Sequence, residues 1–160
     1  MNKELIMALD ALEKENEYGK NEMWYVVDCE PGAYLYCGLS RDASKEEIRK
    51  RIENNTITEI LNKIEVSKGD CVMVKAGTIH AIGAGILICE IQQNSNCTYR
   101  MYDYDCSDKF GNKRELHVDK ALDVVDTKRY VPYESSSNAY DEALNEAAAT
   151  IEAVSYTHLT

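Results

Sequence analysis

Apolar positions along the chain fall into short runs broken by turn residues, a pattern that predicts strands more than helices. The stretch Gly69–Tyr104 carries three such runs. Cys71–Lys75 is short and β-branched and ends in an Ala-Gly-Thr turn, Ile86–Gln92 is a second strand, and Thr98–Tyr104 is a Tyr-rich third. Apolar residues occupy odd and even positions alike, so all three read as buried on both faces. Upstream, Glu22–Glu30 and Ala33–Gly38 flank Pro31-Gly32, and Met23–Gly38 reads as a hairpin. Between these regions Ser44 with Glu47, and Thr56 with Glu59, form two capping-box patterns followed by apolar residues at helical spacing as far as Ile64. Met1–Asn16 is amphipathic, with Leu5, Ala8, Leu9 and Leu12 on one side. Glu115–Val118 reads as short and extended, and Asp119–Val125 as one or two helical turns. The expected architecture is one antiparallel sandwich with the helices of Ser44–Ile64 packed outside it.

Polar residues interrupt the central strands at His80, Glu90 and Arg100. Burying such groups unpaired is costly, so each needs a partner or a role. A hairpin of Ile86–Gln92 with Thr98–Tyr104 centred on Ser95 sets Glu90 opposite Arg100 on one face. Spacing leaves two readings open, an ion pair that fixes register or a functional pair. His80 with Glu22 is half of a divalent-metal site, or His80 is a hydrogen-bonded structural histidine at a turn. Lys20 is a solvated turn lysine or a ligand contact, and His117, near Glu115, reads as a loop or packing residue.

The 160 residues accommodate one ordinary core. A formal net charge of -10 argues against nucleic acid and anionic membranes as partners, while a small anionic ligand needs only a local cationic pocket. The longest apolar run, Ala81–Cys89, is too short to span a bilayer, and residues 1–20 carry no signal-peptide pattern. Six cysteines without CxxC spacing read as reduced packing residues of a cytoplasmic protein. The P-loop, HExxH and GxSxG patterns are absent. Nothing in the pattern fixes an oligomeric state.

GTIHAIGAGILICEIQQNSNCTYRMYDY, with GKNEMWYVVDCEPGA before it and RELHVDKALDVVD after it, resembles the type I phosphomannose isomerase (mannose-6-phosphate isomerase) family from about Glu15 to Asp126. The resemblance implies a mainly β fold, a cupin or jelly-roll antiparallel β-sandwich with a small inserted helical pair and short flanking helices. It implies interconversion of mannose 6-phosphate and fructose 6-phosphate with the help of zinc. Glu22 in GKNEMW and His80 in AGTIHAIG fall at zinc-ligand positions, and Lys20 falls at a lysine close to the metal, in the substrate site. Glu90 and Arg100 fall at positions implicated in catalysis. Aldose–ketose isomerisation moves a proton between neighbouring carbons through an enediolate, which calls for an acid/base group and a cation near the developing oxyanion. Glu90 is then the candidate for proton handling, and Arg100 for steadying the enediolate or the phosphate. The family's Gln-x-His-Pro motif, the source of two further zinc ligands, has no upstream counterpart, since the first Gln here is Gln92 and the first His is His80.

The expected organisation is a divergent N-terminal helix over 1–16 and an isomerase-like cupin domain over 17–126. A linker and the start of a missing C-terminal domain follow over 127–153. Residues 154–160 read as a sequencing-adapter scar, because Val154–Leu159 is what a transposon-end adapter string would encode. The expected function is a zinc-assisted isomerase, weak or inactive as this truncated chain. The alternative is a non-catalytic cupin module that binds a sugar or a protein. A metal-dependent dioxygenase is disfavoured, because it needs a cluster of His ligands and only His80 is a credible one.

Overall fold

The computed structural model describes residues 19–104 and 109–132. The helix expected over 1–16, the segment from 133 onward and the scar expected over 154–160 lie outside the described residues. In chain order the elements are β1 (Glu22–Cys29), β2 (Tyr34–Leu39), α1 (Lys45–Glu53), a 3-10 turn (Ile57–Ile60), β3 (Leu61–Glu65), β4 (Cys71–Val74), β5 (His80–Ile82), β6 (Ile86–Gln92) and α2 (Val118–Val124). The strands form two three-stranded sheets, ordered β4-β1-β6 and β3-β2-β5, with every pairing antiparallel.

Strand alternation builds the core. Trp24 and Val26 of β1, Leu35 and Cys37 of β2, and Val72 and Val74 of β4 are buried in one cluster that draws on both sheets. Two sheets giving their inner faces to one core make a sandwich. The mainly β, antiparallel class expected from the sequence is thus the class found. A second cluster gathers Leu39, Ile48, Ile52, Ile57, Ile60, Leu61, Leu122 and Val125, so both helices and the 3-10 turn pack together at one side. Ser44 caps α1 as its pattern predicts, with Oγ accepting from Glu47 N–H at 3.1 Å.

Several local expectations are corrected. Met23–Gly38 is not a hairpin, because β1 and β2 belong to different sheets. The turn at Pro31-Gly32, with Gly32 at φ 78, hands the chain across the sandwich. Two successive strands with one buried face each look the same locally whether they pair side by side or face each other across a core. The second capping-box pattern does not open an α-helix. Thr56 makes no side-chain cap, Ile57–Ile60 forms one 3-10 turn, and Ile64 pairs with Leu35 in the β3–β2 ladder. Thr98–Tyr104 is not a strand. Arg100 spends its backbone groups on His117, whose N–H donates to Arg100 O at 2.7 Å while Arg100 N–H donates to His117 Nδ1 at 3.3 Å. Among the described residues β6 therefore has one neighbour, β1, and it is not buried on both faces, with Leu87 and Ile91 exposed. Residues 115–117 form no strand, and Val118 already belongs to α2. Cys29, Cys37, Cys71, Cys89 and Cys97 are free thiols, as their spacing suggests. Among the described residues no helix is long and apolar enough to cross a membrane.

Candidate active site

Strand register brings the sequence-predicted residues together. Along β1, Glu22 and Trp24 are two residues apart and share a face. The β1–β6 ladder sets Gln92 opposite Glu22 and Glu90 opposite Trp24, so all four belong to the same face of that sheet. His80 arrives from the other sheet as the first residue of β5, opposite Cys37 of β2. Arg100 arrives on the segment that returns after β6. Lys20, Glu22, His80, Glu90 and Arg100 all line one cavity of about 480 Å³. The hairpin register predicted for Glu90 and Arg100 is absent, since residues 98–104 form no strand to pair with the other edge of β6. The two residues share the cavity by a different route.

Glu22 is 4% exposed and has partners for both carboxylate oxygens. Oε1 lies 3.2 Å from Lys20 Nζ, and Oε2 accepts from Trp24 Nε1–H at 3.0 Å. A buried carboxylate is tolerated only with such pairing. Lys20 Nζ also donates to Gln92 Oε1 at 2.5 Å. His80 is held from two sides. Its ring meets Trp24 edge-on at 5.2 Å between centroids, and its Nδ1 donates to Thr78 O at 2.8 Å. A carbonyl only accepts, so Nδ1 carries a proton, and in the neutral ring this tautomer leaves the lone pair on Nε2. Arg100 Nη1 donates to Glu115 O at 3.4 Å, and the guanidinium charge also acts on the Asp103 carboxyl.

Three cations, Lys20, Lys75 and Arg100, and two carboxylates, Glu22 and Glu90, line the cavity, so its lining carries a small positive balance in a chain whose net charge is -10. Tyr99, Tyr102 and Tyr104 add aromatic wall and hydroxyl groups. Burial first, and the neighbouring Tyr36, Tyr34 and Tyr102 next, push the Tyr104 hydroxyl up from its ordinary value, which keeps it a protonated donor. Tyr104 also holds a left-handed φ of 53, uncommon for a bulky residue and a feature that clusters at functional sites. Sequence reasoning passed over Trp24, Gln92 and Lys75. The i, i+2 relation of Trp24 to Glu22 was the signal available for the first. The other two depend on strand pairing.

As metal donors, Glu22 and His80 have the right chemistry, a carboxylate oxygen and an imidazole nitrogen fixed in one tautomer. Among the described residues no group of three or more His, Cys, Asp or Glu is gathered where one ion could sit. Glu22 and His80 are thus two donors of suitable type and do not by themselves complete a coordination set.

The chain is 44% identical over 115 residues to mannose-6-phosphate isomerase ManA of Bacillus subtilis, and 47% identical over 115 residues to the mannose-6-phosphate isomerase of Streptococcus mutans. It is a homologue of the mannose-6-phosphate isomerases. Both matches take in 72% of this chain and 36% of the relative, so the chain spans about a third of the length of these relatives. The crystal structure of the Bacillus subtilis mannose 6-phosphate isomerase superposes with a TM-score of 0.70 at 38% identity, over 78% of this chain and 40% of that one. The structure of a putative mannosephosphate isomerase from Archaeoglobus fulgidus, at 22% identity and a TM-score of 0.57, shares the fold. No protein-family model matches the sequence.

Proposed function

We propose that the cavity is an aldose–ketose isomerase site that acts on mannose 6-phosphate and fructose 6-phosphate. The observation that carries the proposal is the convergence of Glu22, His80, Glu90, Arg100 and Lys20 on one cavity, in a chain homologous to enzymes named for that reaction. The reading includes residues 17–126 as the isomerase-like cupin unit and a cytoplasmic sugar-phosphate substrate.

Each residue has a role its position permits. Glu90 takes the proton from the sugar's C2 and returns it to C1, or the reverse, from an exposed place on the cavity wall. Arg100 brings a positive charge to the oxygen that becomes the enediolate, or to the phosphate. Lys20, with Glu22 and Gln92 holding its ammonium, donates to sugar oxygens. Glu22 and His80 would hold a divalent ion, zinc in this reading, whose contribution is Lewis-acid stabilisation of charge on the sugar oxygens. With only two donors gathered among the described residues, such an ion is held weakly, and turnover by this chain alone is expected to be slow.

The incomplete donor set also supports a second reading, a module that binds the sugar phosphate without converting it. A coupled assay for fructose 6-phosphate, run beside calorimetric titration with mannose 6-phosphate, separates the two. The isomerase reading expects slow turnover that disappears in Glu90→Gln. Binding without turnover in the wild-type chain, unchanged in Glu90→Gln, supports the binding module instead.

A further inference from the structure

Glu22 and His80 come from different sheets, so no hydrogen-bond ladder fixes one against the other. We propose that Trp24 is the positioning residue that does so, setting the separation and aim of the two side chains across the sandwich and pre-forming the cation half-site. The last part rests on the reading of Glu22 and His80 as cation ligands. The geometric part does not.

The indole reaches both groups. Its Nε1–H donates to Glu22 Oε2 at 3.0 Å, and its ring stands edge-on to His80 with centroids 5.2 Å apart and an interplanar angle of 80°. An indole N–H donates and cannot accept, so its bond to a carboxylate has one direction. Trp24 is 2% exposed and packed in the core, which holds its rotamer. The outer sides of both groups are tied as well. Lys20 Nζ lies 3.2 Å from Glu22 Oε1, and Thr78 O takes the His80 Nδ1 proton at 2.8 Å. Rotating either group breaks a contact on each side. A side chain of ordinary core size at position 24 would fill the space without supplying the N–H. Partners that orient ligands in this way are worth about 10- to 100-fold in metal affinity.

The chain has one Trp, so its 15N spectrum carries one indole resonance. Glu22→Gln is expected to move that resonance by replacing a charged acceptor with a neutral one, and His80→Ala by removing the ring beside it. A resonance indifferent to both overturns the proposal. A second measurement titrates the chain with Co2+ alone and follows visible absorption, in the wild type, Trp24→Phe and Val26→Ala. Val26 is buried one pleat along the same face of β1 and serves as a core control. Trp24→Phe is expected to weaken Co2+ binding about tenfold or more, and Val26→Ala to leave it within about threefold. Equal losses in the two variants make Trp24 an ordinary core residue and overturn the proposal. If the wild type takes up no Co2+ while the indole still responds to Glu22→Gln and His80→Ala, the cation reading fails, and the bridge by Trp24 between the two sheets stands.

Discussion

Arg100 and Glu90 carry the proposed chemistry, and each makes a separable kinetic prediction. If Arg100 stabilises the enediolate, Arg100→Ala lowers kcat by about 10²-fold with little change in KM. A raised KM at unchanged kcat would instead assign its charge to the phosphate. Gly83, just past His80 and β5, tests the scaffold beneath the site. A Cβ there would stand 2.1 Å from Tyr34 O, a backbone atom that already accepts the Gly83 N–H at 3.1 Å. Gly83→Ala must push the end of β5 away from β2, at a cost of about 1–3 kcal/mol read from the denaturant midpoint. An unshifted midpoint would mean that the approach is looser than it looks. At this scale the sequence singled out His80, Glu90 and Arg100, because they break apolar runs, and all three line one cavity. It was silent about their partners. Trp24 stands opposite Glu90 only because β6 pairs with β1, and nothing local announces that pairing.

Among the elements, α1 is the one whose start was written most plainly in the chain. Ser44→Ala removes the acceptor for Glu47 N–H and is expected to cost about 1 kcal/mol in denaturant unfolding, against no loss if the cap is idle. Glu47 supplies a pH signature on the same helix. Hydrogen bonds from Arg41 and then Arg51 hold its carboxyl down at about 2, from an ordinary value of 4.5. A depressed folded-state value means that the unfolded chain binds the proton more readily as pH falls. The stabilisation is therefore complete above about 4.5 and is lost as pH drops toward about 2. Melting temperatures across that window are expected to fall less steeply in Glu47→Gln, and the difference to shrink in salt because the pair is exposed. Equal slopes would contradict the pairing. Elements that depend on distant partners read less well. Ile64 looked helical by spacing and became a strand because β2 offered a ladder, and Thr98–Tyr104 looked like a strand although Arg100 pairs with His117.

For the whole molecule, strand-like runs on either side of capped helices pointed to an antiparallel sandwich, and the structure adds the alternation, with Trp24/Val26, Leu35/Cys37 and Val72/Val74 each buried on one face of its strand. The way the strands divide between two sheets was not legible, because a tight turn serves a hairpin and a sheet-to-sheet crossing equally well. The same division makes the site, with Glu22 and Glu90 coming from one sheet, His80 from the other, and Arg100 from the segment that follows β6. The central claim is that these groups move a proton on the substrate, and deuterium wash-in reads that step even when net turnover is slow. With mannose 6-phosphate and Zn2+ in D2O, proton NMR is expected to show loss of the C2 hydrogen signal above the protein-free rate, and Glu90→Gln is expected to abolish that excess. Wash-in no faster than the protein-free rate, or equally fast in Glu90→Gln, would contradict the account.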